Sequence, residues 1–265
     1  MASGKEKTKY GNTRHTRRYH LLDGIRGITL ISMILYHAAW DAVYLLGADW
    51  PWYQGTAAHV WQQSICWTFI LLSGFCIPFS VHRWKRGLTV FAGGLLVTAV
   101  TCLLLPEDRI IFGVLTFLGS AMLIMAAFEK NLFALVPPLP GLILSALLFL
   151  VTRPVNEGAI GILERPVVKL PTLWYHGYAA TYLGFTDPSF YSTDYFSLIP
   201  WLFLYLCGYF LCRLVQPWMK AHSGLFGVRI SVVDWMGKHS LLIYLLHQPV
   251  LYMFTLLVLA LRGGL

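Results

Sequence analysis

The residues able to do chemistry crowd into one short stretch. Leu22-Asp23-Gly24-Ile25-Arg26-Gly27 is followed by Met33, His37 and Asp41, in a run that is otherwise apolar from 21 to 46. On a helix, with Asp23 at zero, Arg26 falls at about 300°, His37 at about 320° and Asp41 at about 0° again. One polar stripe therefore runs along an apolar rod, with Arg26 and His37 about 16 Å apart on its axis. A guanidinium at one end suits an anion. An imidazole one turn from a carboxylate, His37 and Asp41, suits general base catalysis with the acid orienting the ring. The same residues also fit a plainer reading: Asp23 and Arg26 as a cap and ion pair, His37 and Asp41 as a buried hydrogen bond. The stripe as a whole resists it, because apolar helices pack through small residues and weak polar contacts without a charged seam.

Two other groups qualify. His247 closes Ser240-Leu241-Leu242-Ile243-Tyr244-Leu245-Leu246-His247-Gln248-Pro249; the proline frees backbone carbonyls near it, so this histidine fits a kink as well as a catalyst. Arg83-Trp84-Lys85-Arg86 is a dense basic turn. Its two guanidinium forks could clamp phosphate oxygens, and as a topology signal it needs no other role. No His/Cys grouping has metal spacing, and no metal is expected. Cys66, Cys76, Cys102, Cys207 and Cys212 all sit in apolar runs and read as small buried hydrophobes.

What positions these groups is a membrane bundle. Of the 265 residues, 57% are hydrophobic and 12% charged, against about 25% charged in soluble domains. That excludes a water-soluble globule, and with 15% aromatic residues it excludes disorder. The expected class is an all-α polytopic membrane protein. Seven stretches approach the ~20 residues that cross a bilayer: 21–46, 60–81, 87–105, 110–128, 132–151, 196–217 and 238–261. The fifth is interrupted by Val136-Pro137-Pro138-Leu139-Pro140, which suggests a shortened helix after a wrapped loop. Residues 1–19 form a basic tail of net charge +5, suited to anionic lipid and not to nucleic acid. With the N-terminus cytoplasmic, 14 basic residues lie inside and five outside, so orientation follows. The domain proper is 20–265. Its one long connection, about 155–196, lies outside and is too aromatic to be disordered. Gly93-Gly94 and the 112–119 segment read as packing sites.

The segment from Leu22 to Asp41 resembles the first span of the heparan-alpha-glucosaminide N-acetyltransferase catalytic-domain family, in its short bacterial branch. Phe112-Gly113-Val114-Leu115, Thr193-Asp194-Tyr195-Phe196, Ile199-Pro200-Trp201 and the 240–249 segment extend the likeness over nearly the whole chain after residue 19. The spacing of Arg26 and His37 is also similar to that in membrane acyltransferases of bacterial surface polysaccharides, whose Arg-x-x-Arg, associated with acyl-CoA, Arg83 and Arg86 resemble. The chain departs from the eukaryotic enzyme, which has asparagine at the His37 position and a catalytic histidine in the next loop, where Trp52 and Tyr53 stand here. Thr116 occupies a position that is histidine in many bacterial relatives.

The resemblance implies a multi-pass plasma-membrane enzyme that takes acetyl from cytoplasmic acetyl-CoA, as co-substrate, to an amine or hydroxyl of an external glycan or amino sugar. It implies Asp23, Arg26, Arg83 and Arg86 around the phosphates, and His37, with Asp41 and His247, at the reacting carbonyl. A carrier or flippase for a lipid-linked sugar is the alternative, with the stripe lining its path; it would turn over no acyl-CoA.

Overall fold

A computed structural model describes residues 19–262 except 223, 225, 226, 228 and 229. All of the basic tail but Tyr19 lies outside the described residues. The chain is a helical membrane protein, as its composition requires. The long helices are α1 (His20–Tyr44), α2 (Thr56–Cys76), α3 (Arg83–Leu104), α4 (Val114–Phe128), α5 (Pro138–Thr152), α7 (Leu198–Ala221) and α9 (Ser240–Leu261). Between α5 and α7 come an antiparallel hairpin, β1 (Ala159–Ile162) with β2 (Arg165–Lys169), and a short helix α6 (Gly177–Leu183). A helix of eight residues, α8 (Ser231–Lys238), precedes α9.

Helix α7 packs against α2 and α5, α3 runs along α4, and α1 lies against α2, α8 and α9. Tyr205, Tyr209 and Phe117 are fully buried in the main core cluster. Helices in lipid gain little from apolar contact alone, so close backbone approach matters. A Cβ at Gly94 would lie 2.5 Å from the Thr116 backbone nitrogen, and one at Gly119 would lie 2.5 Å from the Phe91 backbone. The packing role expected for both segments is what the structure gives them.

The fourth and fifth segments both give α-helices of 15 residues, and the fifth is the shortened helix after a loop that its prolines suggest. Among the described residues six helical stretches are long and apolar enough to cross a membrane, the fifth segment reaching that length as Pro138–Glu157 through a 3-10 turn, whereas Val114–Phe128 is shorter. Pro138 sits in the first turn, where its missing N–H costs nothing, so α5 begins at the proline cluster, after the 129–137 connection. At α4 the chain bends at Phe112, whose φ is +57°, and the helix begins four residues later than the apolar run. Its 15 residues rise about 22 Å, short of a ~30 Å hydrocarbon core. Residues 192–196 lie along 109–114 and extend that column. The N–H of Thr193 donates to the Arg109 carbonyl, that of Phe196 to the Phe112 carbonyl, and that of Ile111 to Ser192 Oγ.

The long connection is ordered by side chains. Asn156 Nδ2 donates to the Gly184 carbonyl, Thr186, Tyr195 and Ser197 at 2.9–3.2 Å. Asp187 accepts the Gly177 N–H and both donors of Ser189, which holds its carboxyl down at about 2.

Candidate functional site

The polar stripe of α1 does face inward. Asp23 and Asp41 are 5% and 2% exposed, and Met33 between them is 4% exposed. What it meets differs along its length.

At the start of α1, Arg26 Nη1 donates to Asp23 Oδ1 at 2.9 Å. Helix α8 crosses there at very short range. A Cβ on Gly27 would fall 2.1 Å from the Val233 carbonyl oxygen, and one on Gly237 would fall 2.0 Å from the Asp23 carbonyl oxygen. His20 pairs with Asp234 at 3.3 Å across the same contact. Part of the Asp-Gly-Ile-Arg-Gly pattern is therefore packing. The guanidinium of Arg26 lies beside the Cys76 thiol, and Arg86 of α3 is near enough for its charge to act on both. Arg83 is committed elsewhere. Its Nη1 donates to Glu129 Oε2 at 2.5 Å and its Nε to the Ile77 carbonyl at 3.2 Å, tying the start of α3 to the end of α4. Of the three arginines, the structure gathers Arg26 and Arg86 into one place. Asp23 and Asp234 stand at the same contact, so it is the paired guanidinium forks and not a net charge that suit phosphate oxygens there.

Further along the stripe, α1 meets α9. The rings of His37 and His247 touch edge to face, with centroids 4.8 Å apart. His247 Nδ1 lies 2.6 Å from the Tyr244 carbonyl oxygen. A carbonyl only accepts, so Nδ1 carries the proton and Nε2 presents the lone pair. That Nε2 is buried and has no hydrogen-bond partner. A bare basic nitrogen in an enclosed site is expensive as structure and useful as chemistry.

Asp41 is not the orienting acid of His37. Its carboxylate accepts from Gln248 Nε2 and Thr255 Oγ1, both at 3.3 Å, and no hydrogen bond joins it to His37 among the described residues. One turn of α1 separates the two, but the donors that reach Asp41 come from α9. Asp41 thus pins α1 to α9, next to the histidine pair.

A polar cavity of about 280 Å³ opens towards the end of the bundle where the long connection lies. Gln62, Gln63, Cys66, Arg153, Asp194 and Trp201 are in its lining. Arg153 Nη2 donates to Gln63 Oε1 at 2.8 Å, and its guanidinium lies 4.6 Å over the Trp201 ring. Asp194 Oδ2 accepts the Val114 N–H at the start of α4 at 3.1 Å. Burial pushes the Asp194 carboxyl up to about 6, against the pull of that N–H. Tyr244 stands between the histidines and two residues of that lining in electrostatic terms. Its ring is 5.4 Å from the His247 ring, and its hydroxyl lies within electrostatic reach of Asp194 and Cys66.

Asp194, Tyr244, Glu129 and Asp234 were not singled out from the sequence as site residues. An aspartate in an aromatic loop just before a long apolar helix was the signal for Asp194. Nothing in spacing marked Glu129 as the partner of Arg83, 46 residues away.

The family model described as heparan-alpha-glucosaminide N-acetyltransferase, catalytic, matches residues 18–249. No curated protein and no solved structure matches the chain.

Proposed function

The chain belongs to the heparan-alpha-glucosaminide N-acetyltransferase catalytic family, a family of membrane acetyltransferases, and we propose that it carries acetyl from cytoplasmic acetyl-CoA to an amine or hydroxyl of a glycan outside the plasma membrane. The observation that carries this reading is the histidine pair. His37 and His247, from two helices, meet at 4.8 Å with one ring nitrogen bare. The guanidinium of Arg26, with that of Arg86 near it, stands about 16 Å from His37 along the same helix.

In this reading the phosphates of acetyl-CoA stay by Arg26 and Arg86 on the cytoplasmic side. The pantetheine arm runs beside the α1 stripe and brings the thioester to the histidines. The acceptor enters from the opposite side. The pair takes the acceptor's proton as its O or N attacks the thioester carbonyl, and the C–S bond breaks as the tetrahedral adduct collapses. The proton then passes to the leaving CoA thiolate. Bonding at Nδ1 holds His247 in the tautomer whose Nε2 accepts that proton. Asp41 contributes by fixing α9 against α1.

The test is incubation of purified protein with acetyl-labelled acetyl-CoA and a glycan panel, with mass spectrometry of products and of the protein. Labelled glycan supports the reading. Transport of a lipid-linked sugar without thioester consumption would replace it by the carrier alternative.

A further inference from the structure

The cavity lined by Gln62, Gln63 and Arg153 contains a carboxylate, Asp194, that makes no ion pair among the described residues. Asp194 Oδ2 is used by the Val114 N–H. No hydrogen bond or ion pair reaches Oδ1 among the described residues. The one guanidinium in the lining, Arg153, is held by Gln63, by Trp201 and by Glu164 of the hairpin turn at 3.7 Å. Asp194 is half-buried, so an oxygen with no internal donor opens into the cavity and is available to a donor from outside the chain. A ligand can supply that donor. The remaining lining offers amides at Gln62 and Gln63, the pattern that suits a polyhydroxylated molecule. Tyr244, whose ring is 5.4 Å from that of His247, lies within electrostatic reach of two lining residues, Asp194 and Cys66.

We infer that this cavity is the acceptor subsite and that Asp194 is its positioning residue, taking an N–H or O–H of a sugar on Oδ1 while Val114 holds Oδ2. The inference rests on the acetyl-transfer reading above and adds to it where the acceptor sits and which residue selects it. The N–H of Val114 gives Asp194 a fixed direction, because the start of α4 is anchored by the 192–196 strap. Arg153, its guanidinium 4.6 Å over the Trp201 ring, belongs to the same lining. The groups facing Asp194 are the Val114 N–H from α4, Cys66 from α2, Tyr244 from α9 and, across the cavity, Arg153 after α5. Above about pH 6 the carboxylate is ionised and accepts; below it the group turns into a donor and loses that role.

Asp194→Asn is the informative variant, since its amide oxygen can still accept from Val114. CoA release from acetyl-CoA is followed without sugar, with glucosamine as the amine probe and with glucose as the hydroxyl probe. While the KM for acetyl-CoA stays within about threefold of wild type, Asp194→Asn should raise the KM for the accepted sugar by about 10- to 100-fold. In the wild type that KM should rise as pH falls through 6, and the rise should vanish in the variant. Acceptance of glucosamine without glucose identifies the amine as the required group, and acceptance of glucose identifies a hydroxyl. An unchanged KM in Asp194→Asn overturns the inference and leaves acetyl transfer intact. So does a rise in the KM for acetyl-CoA that matches the rise for the sugar, which marks a structural residue. If the wild type releases CoA but neither sugar accelerates it, a sugar is not the occupant and the inference fails. If the wild type releases no CoA at all, the acetyl-transfer reading itself fails, and the inference with it.

Discussion

Replacing His247 by leucine separates a catalytic histidine from a structural one. The wild-type ring makes a single hydrogen bond, from Nδ1 to the carbonyl of Tyr244 in its own helix, and buries Nε2 without a partner. Losing that bond costs about 0.5–1.5 kcal/mol, and removing the unsatisfied nitrogen returns about 1–3 kcal/mol. A leucine of similar bulk should therefore leave the fold about as stable, or stabilise it by up to ~2 kcal/mol. If the histidine pair is the general base, transfer should fall by about 10²–10⁴-fold, or roughly 2.7–5.5 kcal/mol of barrier. The two readouts move in opposite directions only for a catalytic group. The assay is turnover of labelled acetyl-CoA by detergent-purified protein, with thermal unfolding on the same preparation and acetyl-CoA binding as a third measurement. Wild-type turnover in His247→Leu would refute the assignment. So would a clear fall in Tm matched by loss of acetyl-CoA binding, which would make His247 a structural pin of the α1–α9 contact.

His37→Gln should bind acetyl-CoA normally and lose transfer by a comparable ~10²–10⁴-fold; wild-type turnover would return His37 to the bundle core. Asp41→Asn should act on stability more than on rate, because it weakens the contacts to Gln248 and Thr255 by about 1.5–3 kcal/mol and touches neither imidazole; a thermal melt unchanged from wild type would contradict that. Arg26→Ala and Arg86→Ala should each weaken acetyl-CoA binding by about 1.5–3 kcal/mol in calorimetry, whereas Arg83→Ala should mainly loosen the α3–α4 tie to Glu129. An affinity loss in Arg83→Ala equal to the other two would place it at the phosphates. For orientation, a cysteine at exposed Val167 of the hairpin should react with an impermeant thiol reagent in intact cells and one at Lys85 should not; labelling of position 85 alone inverts the topology. Asp194 supplies a pH signature. Its carboxyl is higher in the fold, about 6, than in an unfolded chain, so the ionised form burdens the fold fully above pH 6. That burden is relieved as pH falls from 6 towards 4; Asp194→Asn should remove this slope from stability measured against pH.

Much of the architecture was legible because a bilayer leaves few choices. Backbone groups in hydrocarbon must pair within a segment, so apolar runs of sufficient length become helices and the spans can be marked on the sequence. The stripe on α1 was legible for a local reason: a helical period places Asp23, Arg26, His37 and Asp41 on one side whatever surrounds them. Period could not say what each would meet. Asp41 and His37 are neighbours along α1, yet the carboxylate is claimed by Gln248 and Thr255, 207 and 214 residues away, because α9 packs against that side. Arg83 and Arg86 are three residues apart and look alike in sequence; only the approach of α4 gives Glu129 to Arg83 and leaves Arg86 beside Arg26. The length of α4 escaped notice for the same reason. Hydropathy continues smoothly through 110–113, and it is the Phe112 bend and the strap at 192–196 that end the helix early. The sequence alone set which groups could do chemistry and that they lie in a membrane bundle. Which nitrogen stays bare at His247, and which carboxylate stays uncompensated at Asp194, was decided by contacts between segments far apart in the chain, where desolvation and a missing partner count only after the helices have packed.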